Sequence, residues 1–347
     1  MFEAIISLCL SLHPESCRDQ LIPGYEAPSQ SQCAASLAGR PPDISLPTGV
    51  FANGAPECQA VGQALEFTEI APGVFAHLGR IAEPSSENAG DAANLGFIIG
   101  AESVAVIDTG SARWMGEAIW RAVRQHTNRP VTDVILTHMH PDHVLGASVF
   151  TEAGARVHGH AGLDRALADR RSNYLESFER LIGSQAFIGT KVARVTHPVT
   201  TETVIDLGGR RLVLRPWSLA HSPTDLTVLD EVNGTLFAGD LVFDRHVPTL
   251  DGSVRGWLRV LDELSLIAAS HVVPGHGGPV LDWPQGAENT RRYLETLARD
   301  TRAAIVRGER LGEAVLHIAQ DEAAQWQLFE SYNPRNATVA FTELEWE

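Results

Sequence analysis

The chain has 347 residues, of which 44% are hydrophobic and 20% are charged, so it is long enough to bury a sizeable core. Its formal net charge of −16 argues against nucleic acid as a partner, because most of the surface would repel a polyanion. No apolar run approaches the roughly 18–20 residues of a membrane-spanning helix, so no membrane span is predicted.

The cysteines are confined to the start of the chain, at Cys9, Cys17, Cys33 and Cys58. An even number of cysteines in a short segment rich in proline, glycine and serine predicts two disulfides and an oxidising compartment, without fixing which cysteines pair. Four free thiols in a cytosolic chain are the alternative. Residues 1–60 are therefore predicted to form a small, loop-rich N-terminal module.

An export signal is not clear in the first residues. Residues 1–12 are apolar, but no basic residue precedes them, since the first is Arg18, and no small-x-small cleavage site follows promptly. Either the native start lies upstream or these residues belong to the mature fold. The clustered cysteines favour an exported protein, with a cytoplasmic location as the alternative.

Strands and helices alternate from residue 67 onwards. Strands are predicted at 74–78, 94–100, 103–108, 131–136, 156–158, 203–207, 211–214, 225–229, 235–237 and 271–273. Helices are predicted at 114–126, 163–181, 254–269 and 288–307. This mixture predicts a layered α/β (α+β) architecture. The main domain is placed at 61–300, and a helical and extended tail at 301–347 is expected to pack on it.

The strongest signal follows the strand at 131–136, which runs straight into Thr-His-Met-His-Pro-Asp-His. In an extended segment His138 and His140 point the same way, while Asp142 and His143 follow the turn at Pro141 and can face a second point close by. Three histidines and a carboxylate in six residues are costly to pack without a partner. Neutral imidazole and carboxylate are good zinc ligands, so the motif predicts a catalytic metal site, with zinc as the metal.

The motif resembles the His-x-His-x-Asp-His hallmark of metallo-β-lactamase-fold hydrolases. Later segments resemble the remaining family motifs in the family's order, namely Ala-His-Ser-Pro at 220–223, Phe-Ala-Gly-Asp at 237–240 and Val-Pro-Gly-His-Gly at 273–277. The resemblance covers about 67–280. It implies a four-layer αββα metallo-β-lactamase sandwich with the site at one edge.

The same resemblance implies a ligand set. His221 would complete a first metal site with His138 and His140, His276 would join Asp142 and His143 at a second, and Asp240 would be shared by both. Asp108, in Ile-Asp-Thr-Gly at 107–110, matches an early family aspartate that supports the histidine loop. Two further residues are candidates around the site: Asp225 could hold His221 by a hydrogen bond, and His160 could border the site or be purely structural.

The resemblance favours a dinuclear zinc hydrolase, because His140 stands where the diiron oxygen-reducing relatives have Glu. A metal-activated hydroxide would attack the carbonyl of a small ester, thioester, lactone or lactam, with Asp142 orienting the nucleophile. Asp240 stands where one lactamase subclass has a cysteine ligand, which argues against broad-spectrum β-lactamase activity. The alternatives are a mononuclear iron enzyme like a persulfide dioxygenase and a non-catalytic metal-binding partner protein.

The terminal segments resemble a narrower group. The cysteine-bearing module and the tail look like the SoxH-related branch, the quinoprotein relay system zinc metallohydrolases. This resemblance implies a periplasmic protein with a small-molecule substrate and a functional link to a PQQ-dependent dehydrogenase system in alcohol oxidation.

Overall fold

The computed structural model describes residues 1–278 and 280–347. Its first strands are β1 (Phe2–Leu10), β2 (Cys17–Ala27), β3 (Val50–Ala52), β4 (Glu57–Ala60), β5 (Thr68–Ala71), β6 (Val74–His77), β7 (Leu95–Ile99), β8 (Val104–Ile107) and β9 (Val131–Leu136). The others are β10 (Arg156–His160), β11 (His197–Val199), β12 (Thr203–Asp206), β13 (Arg211–Pro216), β14 (Leu226–Asp230), β15 (Thr235–Phe243), β16 (His271–His276) and β17 (Leu281–Asp282).

The helices are α1 (Gln30–Gly39), α2 (Arg113–His126), α3 (Pro141–Val144), α4 (Ser148–Glu152), α5 (Leu163–Ile182), α6 (Ser184–Phe187), α7 (Val254–Leu264), α8 (Glu288–Val306), α9 (Leu311–Ala314) and α10 (Phe329–Leu344). Two 3₁₀ turns lie at Gln285–Ala287 and Gln320–Gln325. Among the described residues, no helix combines the length and apolar character needed to cross a membrane.

Two large sheets face each other. One has seven strands in the order β11-β10-β9-β8-β7-β6-β5, and the other has six strands in the order β12-β13-β14-β15-β16-β17. Ile107 and Ile135 of the first sheet share a buried cluster with Val228 and Phe237 of the second. Helices α2 and α5 cover the outer face of the seven-stranded sheet, and α7, α8 and α10 cover that of the six-stranded sheet. This confirms the predicted αββα sandwich.

The central strands are apolar on both faces because each sheet is covered on both sides. In β8, Val104 and Val106 point to the helices, whereas Ala105 and Ile107 point to the other sheet. All nine residues of β15 are buried for the same reason. Strand β8 runs parallel to β9, and β15 runs parallel to β16. The carboxyl ends of two parallel neighbours lie at the same edge of a sheet, so the loops that follow them are close together.

The N-terminal segment differs from the loop-rich module predicted for it. Strand β1 pairs with β2 on one side and with β3 and β4 on the other, which makes a four-stranded sheet. The apolar run of β1 lies at the centre of this sheet, and its buried Ala4, Ile6 and Leu8 pack with Cys33. The prediction relied on the cysteines and on the prolines and glycines that follow them. It therefore missed β1, although this strand contains no glycine or proline that would interrupt it.

The prediction of two disulfides is confirmed. Cys9 pairs with Cys17 and joins β1 to β2, and Cys33 pairs with Cys58 and joins α1 to β4. Buried ion pairs also attach this sheet to α2: Glu3 accepts from Arg121 at 2.8 Å, and Arg18 donates to Glu117 at 2.7 Å.

Replacing Cys33 and Cys58 with serine should lower the free energy of unfolding by about 3 kcal/mol, because the cross-link closes the longer loop and restricts the unfolded chain. Urea unfolding followed by circular dichroism measures this loss. Replacing Cys9 and Cys17 is the matched control and should cost less. Four free thiols in protein taken from its native compartment and denatured without reductant would contradict the disulfide assignment.

Candidate metal centre

Seven side chains from different segments meet where the two large sheets present their loops. His138, His140, Asp142 and His143 follow β9, and His221 precedes β14. Asp240 lies within β15, and His276 ends β16. Their ligand atoms form two clusters: one of His138, His140, His221 and Asp240, and one of Asp142, His143 and His276, each within 4.8 Å.

Asp240 lies between the two clusters. Its Oδ2 is 3.7 Å from His138 Nε2 and 3.6 Å from His221 Nε2 in the first. The same carboxylate reaches the second, with Oδ1 3.2 Å from His143 Nε2 and Oδ2 3.4 Å from His276 Nε2. The close approach depends on Gly275, because a Cβ there would collide with Asp240 Oδ1.

Each of the five histidines has one ring nitrogen held by the protein. The contacts are His138 Nδ1 to Thr137 Oγ1 (3.0 Å), His143 Nδ1 to Asp108 Oδ2 (2.8 Å), His221 Nδ1 to Asp225 Oδ1 (3.1 Å), His276 Nδ1 to the carbonyl of Ala92 (3.0 Å) and His140 Nε2 to Asp251 Oδ2 (3.1 Å). A nitrogen that donates in this way leaves the other one with a lone pair. Four histidines thus offer Nε2 to the centre, and His140 offers Nδ1.

Several of these free atoms are buried without a partner among the described residues. They are Nε2 of His138, Nε2 of His143 and Oδ1 of Asp240. Unpaired polar atoms of this kind are rare in protein interiors because water is lost without replacement. Cations bound in the two clusters would satisfy all three atoms, so the residues present fit a metal centre.

The charges of the cluster also suit metal binding. Burial lowers the pKa of His138 well below its ordinary value, and the nearby His143 lowers it further, so His138 is neutral. Burial by itself would raise the pKa of Asp240, but His276 and His143 hold it well below its usual range. Burial lowers the pKa of His143 and of His276, but Asp240 and Asp142 outweigh this and raise both, so without a cation these two rings favour the protonated form. They would release their protons as a divalent cation binds, because neutral imidazole and ionised carboxylate are the coordinating forms.

The carboxylate of Asp108 holds the loop after β9, which carries His138 and His143. Its Oδ1 accepts from the Thr137 N–H at 2.8 Å, and its Oδ2 accepts from the Thr137 hydroxyl at 2.7 Å as well as from His143. The Thr137 oxygen in turn accepts from His138 Nδ1, so a single carboxylate orients one histidine of each cluster. Asp108 has a φ of 57°, a left-handed conformation that aspartate tolerates better than most residues.

The two other supporting candidates lie in different places. Asp225 contacts His221 as expected and also accepts from the Ser222 N–H at 2.8 Å. His160 belongs to neither cluster, and its Nδ1 accepts from the Gly162 N–H at 3.0 Å.

Asp251 and Arg170 were missed by the sequence reasoning. Asp251 holds His140, and Arg170 Nη1 donates to the same Oδ2 of Asp251 at 2.8 Å. The two residues come from the loop after β15 and from α5, and no spacing in the sequence links them. The only local signal is the polar run of Asp251, Gly252 and Ser253 after an apolar strand, which is typical of many loops.

The comparisons agree with this centre. A family model described as the Metallo-beta-lactamase superfamily matches residues 89–276, which include all seven clustered side chains. The chain belongs to the metallo-β-lactamase superfamily.

Individual relatives of this superfamily are distant. The chain is 27% identical over 157 residues to the probable metallo-hydrolase YybB of Bacillus subtilis, and the match covers 44% of this chain and 64% of that protein, under two thirds of its length. A metallo-beta-lactamase from Pontibacter korlensis is 20% identical with a TM-score of 0.55, covering 67% of this chain and 99% of that one. The sec-alkylsulfatase Pisa1 from Pseudomonas sp. is 15% identical with a TM-score of 0.63, covering 81% of this chain and 50% of that one. The two structures support the fold alone.

Replacing Asp108 with Asn should weaken metal binding at both clusters by about 10–100-fold, because His143 and Thr137 lose their charged acceptor. Asn tolerates the left-handed backbone, so the fold should survive. Competition with a chromogenic chelator measures the two affinities. Asp169→Asn, on the exposed surface of α5, is the matched control. Unchanged affinities in the Asp108 variant would show that this carboxylate does not orient the ligands.

Proposed function

We propose that this chain is a dinuclear zinc hydrolase that cleaves a small ester, thioester, lactone or lactam. The observation that carries the proposal is that two clusters meet at Asp240 while every histidine keeps one nitrogen free for the centre. The donors are nitrogen and carboxylate oxygen, a set that suits zinc. A complete second cluster also favours two ions over the single iron of a persulfide dioxygenase-like enzyme.

Each of the two ions would have its own set of ligands. His138, His140 and His221 would hold one ion, Asp142, His143 and His276 would hold the other, and Asp240 would contact both. When bound, such ions lower the pKa of a water molecule and polarise a carbonyl oxygen. Asp142 is only partly buried and lines the cavity above the centre, which supports the proposal that its carboxylate orients the nucleophile beside a substrate.

The location is proposed on other grounds. We propose a periplasmic protein linked to PQQ-dependent alcohol oxidation, on the resemblance of its terminal segments to the SoxH-related branch. Two disulfides agree with an oxidising compartment. Fractionation of the native host tests this: the oxidised protein should appear in the periplasmic fraction, and reduced protein in the cytoplasm would contradict it.

Metal analysis of protein purified without oxygen should find two zinc ions per chain. His138→Ala should lower turnover by more than about 100-fold, since a ligand matters more than the group that supports it. A panel of thioesters, lactones and a chromogenic cephalosporin measures the turnover. His160→Ala, which removes a histidine outside both clusters, is the control and should retain the activity.

Three results would contradict the proposal in different ways. One iron and no zinc would favour the oxidative alternative. Two zinc ions without metal-dependent turnover on any member of the panel would favour a non-catalytic metal-binding protein. Equal activity of His138→Ala and the wild type would remove the clusters from the reaction.

A further inference from the structure

A cavity of about 720 Å³ opens above the metal centre. Asp142, Asp240 and His276 lie at its base. Two helices contribute to its lining: α5 provides Tyr174, Phe178 and Leu181, and α10 provides Tyr332, Arg335 and Val339. Helix α10 lies outside the residues that the family model matches, so this part of the lining belongs to the chain's individual structure rather than to its common core.

The two arginines of the cavity differ in their partners. Arg170 is bound to Asp251 at 2.8 Å, and Asp251 in turn holds His140, so Arg170 serves the centre itself. Arg335 is exposed and has no hydrogen bond or ion pair within residues 1–278 and 280–347, so its charge is free to meet a ligand that enters from solvent. Its guanidinium lies 5.3 Å from the centre of the Tyr332 ring, a contact that favours this position without neutralising the charge. Glu83 also lines the cavity but forms no ion pair with Arg335 across the described structure.

Tyr174 carries a second polar group that is incompletely paired. Tyr174 is 8% exposed, and its hydroxyl has no hydrogen-bond acceptor among the described residues, although the Arg170 guanidinium lies close enough to donate to it. Burial raises the pKa of Tyr174 to about 12 against the opposing charge of Arg170, and Asp251 and Asp142 raise it further, so the hydroxyl keeps its proton. Arg170 can only donate, so the Tyr174 O–H still needs an acceptor.

The remaining lining is mixed. The polar side chains of Thr249, His246 and Asn336 line the cavity. Its apolar part includes Phe178 and Leu181, which follow Tyr174 at helical spacing on α5, and Val339 of α10. Leu181 is 43% exposed although it lines the cavity. This arrangement suits a ligand with an apolar body, one charged end and at least one further acceptor oxygen.

We infer that the substrate is a small carboxylate-bearing ester or thioester, whose carboxylate binds Arg335 and whose apolar body lies against Phe178 and Leu181. Tyr174 donates to a second oxygen of the same molecule. The planar guanidinium matches a carboxylate with two parallel hydrogen bonds. This inference rests on the proposed hydrolase function and names the substrate class for that site.

The experiment uses the zinc-loaded full chain and two matched pairs of ligands. The substrates are the mono-p-nitrophenyl ester of glutaric acid and p-nitrophenyl pentanoate, which have the same chain length and differ in the carboxylate. The unreactive ligands are the corresponding N-phenyl amides, and calorimetry measures their binding. The wild type should bind the anionic amide about tenfold more tightly than the neutral one and show a similar preference in KM.

Variants separate charge, geometry and packing. Arg335→Met keeps the apolar stem and should abolish the preference, and Arg335→Lys should keep part of it. Tyr174→Phe should weaken binding of both amides by about fivefold, since it removes one donor and little volume. Arg259→Met, an exposed arginine of α7 outside the cavity, is the control and should keep the full preference.

The outcomes distinguish the two proposals. A preference for the anionic amide that Arg335→Met removes, without hydrolysis of either ester or of any member of the thioester, lactone and cephalosporin panel, would support the ligand class and overturn the hydrolase. Hydrolysis of both esters with equal KM, unchanged in Arg335→Met, would support the hydrolase and overturn the inference.

Discussion

The metal centre depends on the hydrogen bonds of one buried carboxylate, Asp108. It lies at the end of β8, beside the start of the histidine loop that follows the parallel strand β9, and so accepts from Thr137 and His143 together. Through Thr137 it also orients His138. Without this acceptor the two imidazoles would each be free to rotate, and their lone pairs would no longer converge on Asp240. The left-handed backbone at Asp108 is therefore a local strain that the pairing of β8 with β9 stabilises.

Much of the centre could be predicted, but by different routes. The alternation after β9 placed His138 and His140 on one side, and the turn at Pro141 separated them from His143, so local geometry sufficed there. His221, Asp240 and His276 carry no such signal. They entered only through the order of family motifs, because each is an ordinary residue beside a strand. Asp251 and Arg170 could not be predicted, since their contact spans 81 residues and depends on where a loop and a helix pass each other.

The fold divides in a similar way. The sandwich followed from strands and helices whose period was clear, as in β8, where alternate residues face the helices and the other sheet. The N-terminal sheet was missed because its centre, β1, is apolar apart from Glu3 and Ser7 and so shows no clear alternation of polar and apolar residues. The metal centre lies in the part of the chain that the family model matches, whereas α10 and the cysteine-linked sheet lie outside it. The clustered side chains thus lie in the matched part, whereas the cavity above them is lined from both parts, since α5 lies within the matched residues and α10 lies outside them.

Helix α10 packs in the core with one face and lines the cavity with another. Ala337, Phe341 and Leu344 fill the core beneath the six-stranded sheet, while Arg335 lines the cavity opposite α5, which packs on the seven-stranded sheet. A molecule held between the two helices therefore links the two halves of the sandwich as well as occupying the site. By thermodynamic linkage, whatever binds there must stabilise the whole protein against unfolding in proportion to its affinity and concentration. Thermal stability then becomes a means of finding the natural ligand before any reaction is known.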